Sequence, residues 1–195
     1  MARWDPGTEE RLTRAALELY TEHGYDNVTV TQIAERAGIT RRSYFRYFPD
    51  KREVLFAGSE RLPAVIREAV LDARPAASPM SAALEALAQV GATLVEHIGR
   101  TAERRAVIAS SPELQERERT KLAAVTSAIH DALRQRGVGD DCAKLVAQIA
   151  TIASQTAIDR WADSHGRKDF AACLHAVAAS LRDVLTADDD TVRSE

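Results

Sequence analysis

Thr40, Arg41, Arg42 and Ser43 follow Gly38-Ile39 directly, and Arg46, Tyr47 and Lys51 come shortly after them. Arginine can fork onto guanine O6 and N7, a contact worth about 1 to 3 kcal/mol of discrimination between bases. A hydroxyl beside free N–H groups at a helix start suits a phosphate instead. Arg41 and Arg42 are therefore expected to read base edges, Thr40 to sit on a phosphate, and Ser43 to add a polar neighbour. Arg46, Tyr47 and Lys51, further along, are expected on the backbone of the duplex, where contacts fix register without reading sequence. Thr31 and Gln32, which begin the preceding helix, are placed to grip the same backbone. The net charge of −3 argues at first against such a partner. Its distribution argues for one: between positions 36 and 52 the cations Arg36, Arg41, Arg42, Arg46, Lys51 and Arg52 face only Asp50, six against one, or +5.

These side chains need elements to hold them. Thr8 as N-cap, the acids Glu9 and Glu10, and the apolar or small positions Leu12, Ala15, Ala16, Leu19 and Tyr20 predict a first helix that stops at Gly24. Thr29 and Gln32 form a capping box for a short helix whose inward face is Val30, Ile33, Ala34 and Ala37. Gly38 closes it, and Thr40 opens a third helix with Tyr44 and Phe48 on one face. Pro49 ends that run, and Asp50 with Glu53 is expected to cap a connecting helix over 50–73, kinked at Pro63. Seven of the ten aromatic residues fall between positions 20 and 56, as a small unit with few core residues requires.

The linked series Thr29, Ile33-Ala34, Ala37-Gly38, Tyr47-Phe48, Pro49-Asp50 and Lys51 resembles the DNA-binding signature of the TetR family of bacterial repressors, over positions 8–56. The resemblance implies that Thr40, Arg41, Ser43, Arg46, Tyr47 and Lys51 face DNA. Arg42 stands where members of the family commonly carry a small residue, and Phe45 replaces a frequent tyrosine, which makes a thymine methyl its more natural neighbour. The resemblance also implies a two-fold dimer on a palindromic double-stranded operator, and an effector pocket among the central helices.

Beyond a loop at 74–79, helices are expected at about 80–98, 101–110, 112–136, 141–164 and 168–186, with a polar tail from 187. The stretch 145–158 carries no charge on any face, which predicts a helix covered all round, and the next helix bears the stripe Phe170, Leu174, Val177, Ala178, Leu181 and Leu185. The resemblance implies that these two helices form the homodimer surface; by pattern alone both could instead pack within one chain. Polar groups on apolar stretches, Thr93, His97, Gln148, Gln155 and Trp161, are the pocket candidates for an unidentified small molecule. The fold class is thus all-α: a three-helix helix-turn-helix domain over 1–53 and a larger helical ligand-binding and dimerisation bundle over 54–195.

Cys142 and Cys173 have no close-spaced partner and read as small buried hydrophobes, neither disulfide nor zinc ligands. No run approaches a membrane span and the N-terminus lacks a signal-peptide core, so a cytoplasmic protein is expected. His97, His130, His165 and His175 show no triad or metal-ligand spacing, and no phosphate loop or nucleophile elbow occurs, so no catalysis, metal or cofactor is expected. An architectural or ligand-blind DNA-binding protein would share the N-terminal unit and lack only the pocket.

Overall fold

The computed structural model describes residues 7–97, 101–164 and 167–192, without the side chains at 94–97, 185 and 187–192. Its described elements are helical throughout. In chain order they are α1 (Thr8–His23), α2 (Val30–Arg36), α3 (Arg41–Tyr44), 3-10 turns at Glu53–Phe56 and Ser59–Arg61, α4 (Leu62–Asp72), α5 (Pro79–His97), α6 (Thr101–Ala109), α7 (Pro112–Gln135), α8 (Asp140–Asp163) and α9 (Phe170–Val192). No helix of the described residues is long and apolar enough to cross a membrane.

The chain forms two compact units. The first takes Met1–Arg61 and Glu103–Lys121, and the second Leu62–Ala102 and Leu122–Glu195. This differs from a simple division at 53/54. The core of the first unit gathers Leu12, Ala16, Ile33, Tyr44 and Val54, all fully buried, and also takes Val107 and Ile108 from α6 and Leu114 from α7. Three short helices leave their core open on one side, and this returning segment fills it.

Local rules account for the turns. Gly7, not Thr8, occupies the N-cap of α1, and Thr8 is buried, accepting a hydrogen bond from Arg11 Nη2 at 2.9 Å. The Thr29–Gln32 capping box is complete, with Gln32 N donating to Thr29 Oγ1 at 3.3 Å and Thr29 N donating to Gln32 Oε1 at 2.8 Å. At the other end of α2, Gly38 adopts φ +73° and Ile39 N donates to the Ala34 carbonyl at 2.9 Å, a glycine-terminated Schellman end. The expected connecting helix over 50–73 is broken: Ala57 turns to an extended ψ of 129° and Gly58 to φ +74°, leaving two single turns before α4. Pro63 lies in the first turn of α4, where its missing N–H costs nothing, and it does not kink a longer helix.

In the second unit, Ile66 and Val70 of α4 pack with small residues of α5, Ala147 and Ala150 of α8, and Phe170 and Leu174 of α9. α5 and α9 come so close that a Cβ on Gly91 would overlap the buried Phe170 ring, so any larger residue there would force that ring to move. The guanidinium of Arg136 donates to the carbonyls of Val70, Leu71, Ala73 and Arg74 at 2.7 to 3.2 Å, closing the C-terminal end of α4 with positive charge. α8 is not covered all round: Leu145 and Ile152 are 59% and 62% exposed. Cys173 is buried as expected, whereas Cys142, in the first turn of α8, is exposed. α9 continues past the expected end at Thr186 to Val192.

Candidate nucleic-acid interface

α3 begins where Thr40 Oγ1 accepts from Ser43 N at 3.1 Å and lies 3.0 Å from Ser43 Oγ. The hydroxyl expected on a phosphate is therefore already the N-cap, leaving the helix start oriented and its arginines outward. α geometry ends at Tyr44. Arg46 N and Tyr47 N bond three residues back, to Ser43 and Tyr44 at 3.2 and 2.9 Å, so the segment to Phe48 tightens into turns before Pro49. Fully buried Tyr44 and nearly buried Phe48, with ring centroids 5.8 Å apart, anchor the inner face.

The outer face carries the expected side chains. Arg41, Arg42, Phe45 and Arg46 are exposed, and Ser43 and Tyr47 are half-buried. Among the described residues no carboxylate pairs with Arg41, Arg42 or Arg46; Arg41 lies over the Phe45 ring, 5.3 Å from its centroid. The other three cations of the segment are engaged within the unit. Arg36 pairs with Glu22 at 3.2 Å and Glu18 at 3.6 Å. Arg52 pairs with Asp50, Glu53 and Glu113 at 3.3, 3.3 and 3.8 Å. Lys51 donates to the carbonyls of Tyr25 and Val28 at 2.9 and 3.1 Å. The +5 read from sequence thus narrows to three outward guanidiniums. Thr31 and Gln32 are exposed on the first turn of α2, but Gln32 Oε1 already serves the capping box.

The turn after α3 is held from beneath. Tyr20 donates its hydroxyl to the Lys51 carbonyl, and Tyr44 donates to the Asp50 carbonyl at 2.9 Å. The Asp50 carboxylate accepts from Arg52 N at 2.8 Å and Glu53 N at 3.0 Å, so it caps the next turn as its spacing with Glu53 predicted. Burial pushes the Tyr20, Tyr25 and Tyr44 phenols above the ordinary tyrosine range, so all three stay neutral donors or packing groups.

Glu53 carries a contact that sequence reasoning missed. Arg117, at the start of α7, grips both its carboxylate oxygens at 2.7 and 2.9 Å, and this guanidinium holds the Glu53 carboxyl below its usual range. The guanidiniums of Arg117 and Arg104 lie 4.9 and 5.2 Å from the Phe56 ring centroid, and Arg104 Nε donates to the Leu55 carbonyl at 2.9 Å. No local signal announces a pairing across so many residues.

The five pocket candidates differ in burial. Thr93 and Gln148 are exposed, Gln155 is half-buried, Trp161 is half-buried against the core of the second unit, and the side chain of His97 lies outside the described residues. A concavity of about 770 Å³ is lined instead by charged residues of the α8–α9 junction, among them Arg160, Asp163, Lys168 and Asp169. No group of three or more potential metal ligands occurs among the described residues.

Comparison with known proteins agrees with this geometry. Residues 12–57 match the family described as bacterial regulatory proteins, tetR family, and residues 77–186, more than half of the chain, match the MftR C-terminal domain. Among curated relatives, the transcriptional regulator TcmR of Streptomyces glaucescens is 39% identical over 69 residues, 35% of this chain and 30% of that protein. The chain spans about a third of the length of the curated relatives it matches first. Two solved structures share the fold at low identity. The SmeT–triclosan complex has a TM-score of 0.60 at 20% identity, covering 89% of this chain and 91% of that one. FadR from Bacillus subtilis in complex with stearoyl-CoA has a TM-score of 0.56 at 19% identity, covering 86% and 94%. With a tetR-type reading unit at one end and a regulator's C-terminal domain over most of the remainder, the chain belongs to the TetR family of bacterial transcriptional regulators.

Proposed function

We propose that this regulator is a repressor that grips a palindromic operator as a homodimer and leaves it when a small molecule binds. The observation that carries the DNA-reading half is the sorting of charge on the first unit. Arg36, Lys51 and Arg52 are engaged internally, while Arg41, Arg42 and Arg46 stand exposed around α3 with no acid paired to them among the described residues. Arg41 and Arg42 read base edges, Phe45 meets a thymine methyl, and Arg46, Tyr47, Thr40 and Thr31 follow the phosphates.

The dimer rests on α8 and α9. Leu145 and Ile152 leave large apolar surfaces uncovered on α8, with exposed Gln148 at the intervening helical position, and Val184 does the same on α9. Gln148 accordingly belongs to this face and not to the effector site, for which Gln155 and Trp161 remain the proposed contacts. The likeness to SmeT bound to triclosan and to FadR bound to stearoyl-CoA supports an apolar effector. Such a molecule acts only if it binds the DNA-incompetent arrangement more tightly; affinity equal in both states would shift nothing.

The test is a gel shift at stated salt on duplexes from the DNA flanking the gene, followed by titration of hydrophobic compounds into the complex. Binding to one duplex over a scrambled control, and release by a compound, are expected. A wild-type protein that treats all duplexes alike at low salt would refute the reading.

A further inference from the structure

Arg104 of α6 and Glu118 and Lys121 of α7 meet within the first unit, and all three are largely covered: the side chains of Arg104 and Lys121 are 15% exposed and that of Glu118 25%. Glu118 serves both cations. Lys121 Nζ donates to its Oε1 at 2.6 Å, while Arg104 Nη2 stands 3.8 Å from its Oε2, beyond hydrogen-bond reach. Arg104 gives only Nε to a hydrogen bond, with the Leu55 carbonyl at 2.9 Å, and sets its guanidinium carbon over the Phe56 ring. The neighbouring carboxylate, Glu53, is already gripped at both oxygens by Arg117 and paired with Arg52. Among the described residues no acceptor lies within hydrogen-bond distance of the terminal nitrogens of Arg104, and Lys121 makes the one bond to Glu118. Burial lowers the pKa of both cations, and Glu118 offsets it only in part.

We propose that Arg104 and Lys121 form a binding site for the carboxylate of a small organic acid. A guanidinium fork with an ammonium beside it matches two carboxylate oxygens, and covered charge is favourable only when paired and hydrogen-bonded. The local sum chooses the class of anion: two cations less Glu118 leave +1, which a carboxylate neutralises, whereas a phosphate monoester at about −1.5 to −2 overshoots it. Because both cations lie largely beneath the surface, the acid group must stand at the tip of a slender chain. The inference holds whether or not the bound acid is the molecule that releases DNA.

Isothermal titration calorimetry on the full chain at fixed ionic strength compares octanoate, octyl phosphate and octanol, which share one tail. Octanoate is expected to bind about tenfold or more tighter than octanol, and tighter than octyl phosphate. Arg104→Gln and Lys121→Met, at a temperature where circular dichroism shows them folded, should each bring octanoate to within about twofold of octanol, and Lys121→Arg should retain most of the preference. A bracing role alone would lower the thermal midpoint of Lys121→Met and leave the octanoate-to-octanol ratio as in wild type, which overturns the inference. A wild type with no preference for octanoate over octanol overturns it as well, and tighter binding of octyl phosphate overturns the choice of carboxylate. A second measurement needs no variant: the Arg104 Nε–H, held on the Leu55 carbonyl, is followed by NMR of nitrogen-labelled arginine. Octanoate should shift this signal and octanol should not; an indifferent signal overturns the inference even if neither variant folds. Octanoate bound here by a protein that keeps its operator supports the inference and counts against this acid as the releasing molecule. Release of DNA by octanol as readily as by octanoate, with no preference in binding, overturns the inference and leaves the release reading intact.

Discussion

Arg41 and Arg46 have no acid paired to them among the described residues, yet Arg36, a few positions upstream, sits between Glu18 and Glu22 of α1. The sequence lists these cations side by side, and only the packing of α1 against α2 separates the paired from the unpaired. Arg41 is the more constrained of the two reading candidates, since the Phe45 ring beneath its guanidinium limits where it can swing. Arg41→Ala should therefore relax sequence preference by about 1 to 3 kcal/mol at one base pair of each half-site. Competition between the selected duplex and single-base variants measures this; a uniform loss across all variants would assign Arg41 to the phosphates. Arginine identity and outward exposure were legible in the sequence. The partners of Lys51 were not, because they are main-chain carbonyls, and a carbonyl has no letter of its own.

Among the elements, the parts that could be read in advance are those fixed by neighbours in the chain: the Thr29–Gln32 box, the glycine end of α2 and the Asp50 cap. The parts that could not are set from afar or by a single residue inside an apolar rhythm. Gly58 interrupts positions whose periodicity favours a continuous helix, and α6 with the start of α7 joins the first unit through tertiary burial alone. The Glu53–Arg117 pair belongs to this second kind. Its carboxyl is held low by the guanidinium, so the pair stabilises the fold above the ordinary carboxylate range and loses that stabilisation as pH falls through the lowered value. Glu53→Gln should cost about 1 to 3 kcal/mol near neutrality, leaving Arg117 poorly paired, and should flatten the decline of thermal midpoint between neutral and strongly acidic buffer. An unchanged acid profile would show that Glu53 does not link protonation to stability.

For the whole molecule, the all-α class and the helix order beyond position 79 followed from composition and capping signals, whereas the α8 stretch expected to be covered all round is not so in the single chain. Leu145 and Ile152 of this helix are open to solvent. If a second protomer covers this face, Ile152→Glu places a charge in the apolar centre of the interface and should yield monomers by analytical ultracentrifugation. Operator affinity should then fall steeply, because two half-sites would no longer be held by one particle. A dimer that survives Ile152→Glu and Leu145→Glu together would move the interface elsewhere. The pocket candidates illustrate the opposite limit: polar residues on apolar stretches mark a buried site or a partner face equally well, and Gln148 is exposed between Leu145 and Ile152 on α8.

The four tyrosines of the chain, Tyr20, Tyr25, Tyr44 and Tyr47, all lie in the first compact unit, while Trp161 lies in the second. The chain's other tryptophan, Trp4, precedes the described residues, so a Trp4→Phe variant leaves Trp161 as its single indole. Because the phenols of Tyr20, Tyr25 and Tyr44 resist ionisation while folded, the stability this lends the unit is complete below the ordinary tyrosine range and drains away in alkali. Tyrosinate absorbance on a rising pH ramp is thus an internal optical gauge of the DNA-reading unit, against which the fluorescence of Trp161 in the other unit can be followed separately in the Trp4→Phe variant.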